Sequence, residues 1–311
     1  MRTNLRNVGL ILSLLLFPFI GNAYYDVEVD GVYYNINMEN KSVEVTKGRT
    51  DYSGDVIIPS SINIGNLELP VTSIGAKVFW GCDYLTSVTI GNSITEIGEE
   101  AFAYTSKSLK KVEITDLAAW CKIRFEGQLS NPLNYAHHLY MNGVEIKDLK
   151  IPNSVTSIGE YAFVYCSGLT SVTIPNSVTS IGNGAFYGCS GLKKVEISDL
   201  EAWCKISFGT YSANPLSYAH HLYMNGDEIT DLKIPNSVTY IGNDAFHGCS
   251  GLTSVTIPNS VTSIGKDAFW GCDYLTRVDI TDLEAWCKIS FGSSYGANPL
   301  YHAHHLYMNG V

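Results

Sequence analysis

Cysteine and histidine are the residues of this chain with the clearest chemical potential, and both recur at regular intervals. The cysteines either follow a phenylalanine by three residues or follow a tryptophan directly; they are Cys82, Cys166, Cys189, Cys249 and Cys272, and Cys121, Cys204 and Cys287. Stacked neighbours such as Cys166 and Cys189 would lie about 5 Å apart, so disulfides are geometrically feasible in an exported protein. The regular placement favours small buried thiols, mostly reduced, over a disulfide framework.

Three histidine pairs carry a metal-ligand residue type. They are His137/His138, His220/His221 and His304/His305, with His302 beside the last. Adjacent residues on a strand point to opposite faces, which is poor geometry for shared ligation. We therefore interpret the pairs as structural and expect neither a metal nor a cofactor.

Catalytic motifs are absent from the sequence. Ser, His and Asp are plentiful, but there is no nucleophile elbow, zinc-protease motif, P-loop or dinucleotide fingerprint. Catalysis needs one specific constellation, whereas nearly every polar residue here is copied from repeat to repeat. The sequence predicts a protein that is not an enzyme and has no catalytic residues.

The elements that position these residues are internal repeats. The stretch IPNSVTSIGEYAFVYCSGLTSVT is followed at once by a near copy, and the 23-residue unit begins at Leu67, Ile90, Ile151, Ile174, Ile234 and Ile257. A longer unit of 37 residues starts at Ile114, Ile197 and Ile280. Trp120, Trp203 and Trp286 are 83 residues apart, so the chain repeats an 83-residue module whose last copy is truncated.

Each unit has the pattern of one solenoid coil. Val172 and Ile174 are two residues apart and point to one face of a strand, which Pro175 ends. One coil cannot bury its own apolar face, but stacked coils can. The pattern predicts a leucine-rich-repeat solenoid of about nine coils, right-handed and mostly β, with a parallel strand ladder on one face and short helices or 3-10 turns. The long unit is interpreted as one coil with a longer outer excursion. A capping box from Ser198 to Glu201 predicts a short helix, and Asn225-Gly226 predicts a hairpin.

Two sets of outward residues are candidates for ligand binding. Strand charges alternate along the chain, and in-register stacking would place Lys194 beside Asp231 and Glu196 beside Lys233. The charged residues bind a ligand in one interpretation and merely pair with each other in the other. The second set follows the motif phenylalanine and either contacts a ligand or packs on the next coil. The candidates are Ser171, Thr173, Lys194, Glu196, Asp231 and Lys233, and Trp80, Tyr187 and Trp270.

The unit I-P-x-S-V-T-S-I-G-x-x-A-F-x-x-C-x-x-L resembles the BspA-like leucine-rich repeats of bacterial surface proteins. The resemblance covers about Val56 to Val311, with local departures at Val78 and Thr105. Family members are associated with adhesion to host proteins and to other cells. The resemblance therefore implies adhesion, but it supplies no binding residues.

The N-terminal residues indicate export. Residues 1–23 have two arginines, an apolar run from Val8 to Ile20 and a small-residue end at Ala23, the layout of a signal peptide. We expect an N-terminal cap with a β-hairpin at 24–66 and the solenoid at 67–311, with no transmembrane segment in the mature chain.

The mature chain would be acidic. Without Arg2 and Arg6 it has 18 basic and 30 acidic residues, a charge of −12, which argues against nucleic acid as a partner. We expect a secreted or cell-surface protein that recognises an extracellular protein ligand, on a host matrix or another cell. Glycan binding through the aromatic residues and a purely structural spacer are the alternatives.

Overall fold

The computed structural model describes residues 25–105 and 108–310, so the predicted signal peptide lies outside the described residues. The strands up to Glu145 are β1 (Tyr25–Val29), β2 (Val32–Asn37), β3 (Ser42–Thr46), β4 (Ser53–Ile58), β5 (Ser61–Ile64), β6 (Leu67–Ile74), β7 (Tyr84–Ile90), β8 (Glu96–Ile97), β9 (Lys111–Ile114), β10 (Arg124–Phe125), β11 (Leu139–Met141) and β12 (Val144–Glu145).

Two further modules follow, the second module being residues 151–233 and the third module the residues from 234 onward. Strand β13 (Asp148–Lys150) ends the first long unit. The strands that follow are β14 (Ser157–Ile158), β15 (Ser171–Ile174), β16 (Ser180–Ile181), β17 (Lys194–Ile197), β18 (Ser207–Phe208), β19 (Leu222–Met224) and β20 (Asp227–Glu228). The rest are β21 (Asp231–Lys233), β22 (Tyr240–Ile241), β23 (Ser254–Ile257), β24 (Ser263–Ile264), β25 (Arg277–Ile280), β26 (Ser290–Phe291) and β27 (Leu306–Met308).

Short helices occur in the long units. They are α1 (Leu117–Trp120), α2 (Leu133–Ala136), α3 (Leu200–Cys204), α4 (Leu216–Ala219), α5 (Leu283–Cys287) and α6 (Leu300–Ala303), with 3-10 turns at Gln128–Ser130, Tyr211–Ala213 and Tyr295–Ala297. The N-cap of α3 is Asp199, whose carboxylate accepts from the Ala202 amide at 2.7 Å, so the cap lies one residue after the predicted Ser198. An aspartate caps α1 and α5 in the same way, because a carboxylate satisfies a free amide of the first turn.

One coil illustrates how the repeat folds. Val172 and Ile174 on β15 point inward and are buried, and the chain turns at Pro175 before β16 adds Ile181 to the interior. The returning segment buries Phe186, whose ring stacks on Phe163 of the preceding coil with centroids 5.3 Å apart. Stacked coils therefore build one continuous apolar core from a short repeated pattern, as the sequence predicts.

The longer strands of the coils form one face of the solenoid, which we call the long face, and the two-residue parallel strands lie on a second face. The strands of the long face are parallel and in register. Ser171 lies beside Lys194 and Thr173 beside Glu196, while the long face as a whole is divided into separate sheets. Its ladders run β4-β7-β9-β11, β13-β15-β17-β19 and β21-β23-β25-β27. The predicted parallel ladder is thus confirmed, although it is interrupted once in every 83 residues.

The interruptions explain why the predicted charge register is wrong. The neighbour of β17 is β19, so Glu196 lies beside Tyr223, whereas Asp231 belongs to a new sheet and lies beside Ser254. The long unit adds two strands to the long face instead of one. After β19 the chain turns at Asn225-Gly226 into the antiparallel β20, and this hairpin stands where the sequence placed the Asp231 strand.

The N-terminal segment has a different architecture. Strands β1, β2 and β3 form an antiparallel meander, β3 runs parallel to β6, and β5 pairs with β6 as a hairpin. Strand β4 already runs parallel to β7 on the long face. The segment buries Tyr34, Val43 and Val45, and Tyr52 packs on Phe79 at 4.9 Å, so the meander covers the first coil.

Side chains bind the modules together where the backbone ladder is interrupted. The Trp203 indole donates to the carbonyl of Ala245 at 2.9 Å, and the buried Asn214 amide donates to the carbonyls of Asp244 and Ala245. His220, left-handed at the end of α4, places Nδ1 2.8 Å from the carbonyl oxygen of Gly248. With the backbone bonds from the Gly242 amide to Cys204 at 2.8 Å and from the Gly251 amide to His220 at 3.1 Å, they join the modules where strand pairing stops.

Candidate ligand-binding surfaces

The first candidate surface is the strand face, which we define as the outward residues of the parallel strands β4 to β27 on the long face. Lys194 and Glu196 lie on it with their charges 2.8 Å apart, and Asp231 and Lys233 form a pair at 3.1 Å. Each charge therefore pairs within its own strand, two residues away, and not with the neighbouring strand.

Hydroxyl groups link the charges of one sheet into rows. The Ser171 hydroxyl donates to Asp148, and Ser254 donates to Asp231, which in each case lowers the pKa of the aspartate. Lys194 lies on the far side of Ser171, and the charge of Asp148 helps to raise its pKa, after the larger effect of Glu196. Beyond its own strand, Lys194 thus has a complementary charge in Asp148, two strands back.

The hairpins add a cluster that the sequence interpretation missed. His221 Nδ1 lies 2.6 Å from Glu228 Oε1, and the Lys194 ammonium lies 4.4 Å from the centre of the Tyr223 ring. The Gly226 amide donates to Glu196 at 3.0 Å.

The same cluster forms one module earlier, where His138 pairs with Glu145 at 2.6 Å. The signal was present in the sequence, since H-L-Y-M-N-G-x-E occurs at both places, and the hairpin brings its two ends together. In the first two pairs the second histidine is therefore held by a glutamate, while the first histidine of all three pairs ends a helix. Among the described residues, no group of three or more His, Cys, Asp or Glu side chains could hold a metal ion.

The second candidate surface is the aromatic row, which lies in the turns between the short strands and the strand face. Its predicted members Trp80, Tyr187 and Trp270 expose 43%, 36% and 44% of their surface. Each contacts another ring: Trp80 lies edge-on to Tyr104 at 5.5 Å, and Trp270 stacks on Tyr301 at 6.1 Å. The structure therefore separates the nine candidate residues into two surfaces.

The cysteines mostly lie in the core. Seven are buried and all eight are free, whereas Cys287 is exposed, contrary to the expectation for that residue. The Cys189 thiol donates to the carbonyl of Phe163 at 3.0 Å, and burial raises the pKa of Cys166 to about 12. Such thiols are poor nucleophiles and serve as small packing groups.

Similarity to known proteins agrees with this architecture. The family model of the BspA type leucine rich repeat region matches residues 52–126, 135–215 and 217–295, in six copies. No curated protein matches the chain.

Several solved structures are similar to the chain. A leucine-rich repeat protein from Bacteroides ovatus is 26% identical, with 82% of this chain and 71% of that chain covered and a TM-score of 0.43. A leucine rich cell surface protein from Faecalibacterium prausnitzii is 21% identical, with 86% and 98% covered and a TM-score of 0.31. The pneumococcal vaccine antigen PcpA is 14% identical, with 89% and 90% covered and a TM-score of 0.31.

The family match covers well over half of the chain and includes both the short and the long units. The resemblance noted in the sequence and the predicted repeat fold are both confirmed, and the chain belongs to the BspA type of leucine-rich-repeat proteins.

Proposed function

We propose that the chain is an exported or cell-surface recognition protein that adheres to a protein ligand, on a host matrix or another cell, through the strand face. The observation that carries this proposal is a repeated, highly exposed ion pair. Asp148 and Lys150 expose 55% and 74% of their side chains, and Asp231 and Lys233, one module later, expose 50% and 75%.

These exposed pairs are suited to exchange partners. An ion pair on the surface contributes only about 0–1 kcal/mol, so a ligand that supplies an opposite charge can replace it at little cost. Lys194 and Glu196 are more shielded, at 35% and 19% exposure, and Glu196 also accepts from the Gly226 amide. In this proposal β13 and β21, the first strands of the second and third sheets on the long face, therefore provide the main contacts.

Ser171, Thr173, Lys194 and Glu196 complete the proposed contact surface between two exposed pairs. A module repeats these groups at a fixed interval, so several weak contacts with a long or repetitive protein would add through multivalency. Glycan binding through the aromatic row would use a different surface, because Trp80, Tyr187 and Trp270 lie in the turns and not on the strands.

Export and a non-catalytic role are parts of the same proposal. The signal-peptide layout of residues 1–23 supports export, with 24–66 as the cap and 67–311 as the solenoid. In the part of the chain that the structure describes, no helix has the length and apolar character needed to cross a membrane. Leucine-rich repeats present surfaces for binding, which supports a binding role over an enzymatic one.

The proposal is tested by deletion of the second module, residues 151–233. The cut joins Lys150 to Ile234, which recreates the native sequence around Lys233-Ile234, so the shortened solenoid should fold. Binding to immobilised fibronectin, fibrinogen, laminin and collagen, measured by surface plasmon resonance, should weaken in the deletion variant. The intact chain is expected to bind at least one of these matrix proteins.

A matched control separates charge from folding. The fourfold variant Asp148→Lys, Lys150→Asp, Asp231→Lys, Lys233→Asp keeps the net charge and both ion pairs but reverses their order. We expect an unchanged circular dichroism spectrum and binding weakened about tenfold or more. Unchanged affinity in both variants would place the binding site elsewhere. If the intact chain binds none of the four matrix proteins, a purely structural spacer becomes the better interpretation.

A further inference from the structure

The aromatic row has one ring in every coil that ends in the motif Ala-Phe or Val-Phe, and the structure shows how this is achieved. In four of the six coils the ring directly follows the phenylalanine, at Trp80, Tyr187, His247 and Trp270, and a glycine comes next. In the other two coils the first position holds Ala103 or Val164, both fully buried, and the ring stands one residue later, at Tyr104 and Tyr165.

The shifted rings occupy an unfavourable backbone conformation. Tyr104 and Tyr165 have φ of +64° and +52°, while the glycines at the same position, such as Gly188 and Gly271, have φ of +76° and +74°. This left-handed region suits glycine and is costly for a residue with a Cβ. The ring is thus kept in the row despite a backbone cost, and such a cost is typical of functional positions.

Neighbouring rings contact each other in pairs. Tyr165 lies edge-on to Tyr187 with centroids 5.2 Å apart, which matches the geometry of the Trp80 and Tyr104 pair although the two ring positions are exchanged. Farther along, Tyr211 stacks on His247 at 5.2 Å and Tyr301 on Tyr295 at 5.8 Å. Adjacent coils rise by about 4.8 Å, the spacing of adjacent strands, so the two rings of a module form a close pair, and a long unit separates one pair from the next.

The turns around the rings have no excess of positive charge. Lys77 pairs with Glu100 at 3.4 Å and Lys266 with Asp267 at 3.7 Å, and the remaining charges of these turns, such as Asp244, are mostly acidic. A glycine, which has no side chain, follows four of the six rings. A protein hot spot needs surrounding residues that exclude water, which an open line of rings does not provide.

We propose that the aromatic row is a binding site for a neutral polysaccharide. The C–H face of a pyranose ring stacks on an aromatic face, and a linear polymer of such rings can follow a linear row of side chains. An uncharged polymer fits because the row has no excess of cations and the whole chain has a formal net charge of −10, which repels anionic polymers.

Affinity electrophoresis in native gels tests this site directly. The gels contain a neutral polysaccharide, namely a mixed-linkage β-glucan, xyloglucan, galactomannan or starch, or the anionic polymers hyaluronan and polygalacturonate. We expect at least one neutral polymer to retard the chain and the anionic polymers to leave its mobility unchanged. No retardation by any neutral polymer, or retardation by the anionic ones alone, overturns the proposal.

Variants show whether the rings make the contact. Trp80→Ala and Trp270→Ala should each weaken binding about tenfold. Tyr104→Gly removes a ring and also relieves the left-handed backbone, so it should bind more weakly while unfolding no more easily than the parent chain. The double variant Ala103→Tyr, Tyr104→Gly moves the ring to the commoner position and should restore binding.

Equal binding by Tyr104→Gly and the parent chain, with no loss in the tryptophan variants, would assign the rings to packing alone. The charge-order variant of the strand face is expected to bind the polysaccharide normally, so failure here is distinct from failure of the protein-ligand proposal.

Discussion

The second and third modules have nearly the same long unit but differ in how far they bury it. Both contain the helix sequence LEAWC, as α3 and α5. Leu200 is 8% exposed in the second module, whereas the equivalent Leu283 is 52% exposed; Leu222 is fully buried and its equivalent Leu306 is 39% exposed. The coil that starts at Ile234 covers the second module, and within the described residues no coil follows Met308.

The hydrogen bonds of the two modules fall into two groups, those within one long unit and those that reach the next coil. Bonds within one unit are kept: Asp282 caps α5 as Asp199 caps α3, and Asn298 accepts from the Leu300 amide at 2.9 Å. Bonds that reach the next coil, such as that of the Trp203 indole, have no counterpart at Trp286 in the described part of the chain. A unit's own sequence thus determines its local structure, and its neighbour determines its burial.

Thiol reactivity should show the largest difference between the modules. Cys204 is buried, which raises its pKa to about 12, while Cys287 is exposed. Iodoacetamide on the native chain should label one cysteine per chain rapidly. The other seven should react at least about a thousandfold more slowly, because they become accessible only when the core opens.

Peptide mapping by mass spectrometry identifies the labelled residue, and labelling in urea provides the control for total thiol. Several fast cysteines, or thiols that remain blocked in urea without reductant, would contradict the comparison, and the second outcome would indicate disulfides.

The same substitution in the two modules should have unequal costs. Trp203→Ala removes a fully buried ring and its bond to Ala245, for a loss of about 3–5 kcal/mol in the free energy of unfolding. Trp286→Ala removes an equivalent ring that has no bond to a following coil among residues 25–105 and 108–310, so its cost should be smaller by at least about 1 kcal/mol. Urea unfolding followed by circular dichroism measures both, and equal losses would show that the following coil adds nothing.

The difference between the modules also explains what the sequence could predict. The short coil was predictable because Val172, Ile174 and Pro175 define a strand and its end within four residues. The hairpin at Asn225-Gly226 was predicted as well, but the parallel pairing of its first strand, β19, with β17 was not, since Leu222, Tyr223 and Met224 are too few to show a period. Missing that pairing led to the wrong partner for Lys194.

The aromatic and histidine clusters were only partly predictable for a related reason. Trp80, Tyr187 and Trp270 follow the motif phenylalanine directly and are visible in the sequence, while Tyr104 replaces them from a shifted position. The pairing of His221 with Glu228 depends on a hairpin that reverses the chain between them. Contacts across a turn require the turn's geometry, which residue types alone do not supply.

Asparagine substitutions should sharpen the comparison on a smaller scale. Asn214→Ala removes the bonds to the carbonyls of Asp244 and Ala245 and the acceptor of the Leu216 amide, so we expect a loss of about 1–3 kcal/mol. Asn298→Ala loses only the local bond to the Leu300 amide and should cost about 1 kcal/mol. Amide hydrogen exchange localises the effect: protection at the junction after α4 should fall in Asn214→Ala, and a uniform fall along the chain would argue against a local junction.

The smallest predicted effect compares one turn position in the two modules. Gly184 in the second module and Asp244 in the third both have positive φ, +59° and +58°, and only glycine adopts this conformation freely. Burial, with the charge of Asp267, raises the pKa of Asp244 to about 6.

Between about pH 4 and 6, the folded state therefore keeps a proton on Asp244 that the unfolded state has released. The ionised carboxylate therefore destabilises the fold above that window and has no such effect below it. Asp244→Gly should stabilise the chain by about 1–2 kcal/mol at pH 7, after discounting for solvent screening, and by less at pH 4. Asp244→Asn isolates the charge, because asparagine tolerates the left-handed backbone, so its gain should appear only at the higher pH. Urea unfolding at the two pH values measures the stability of both variants. A pH-independent gain in stability for Asp244→Asn would show that burial does not destabilise the ionised carboxylate.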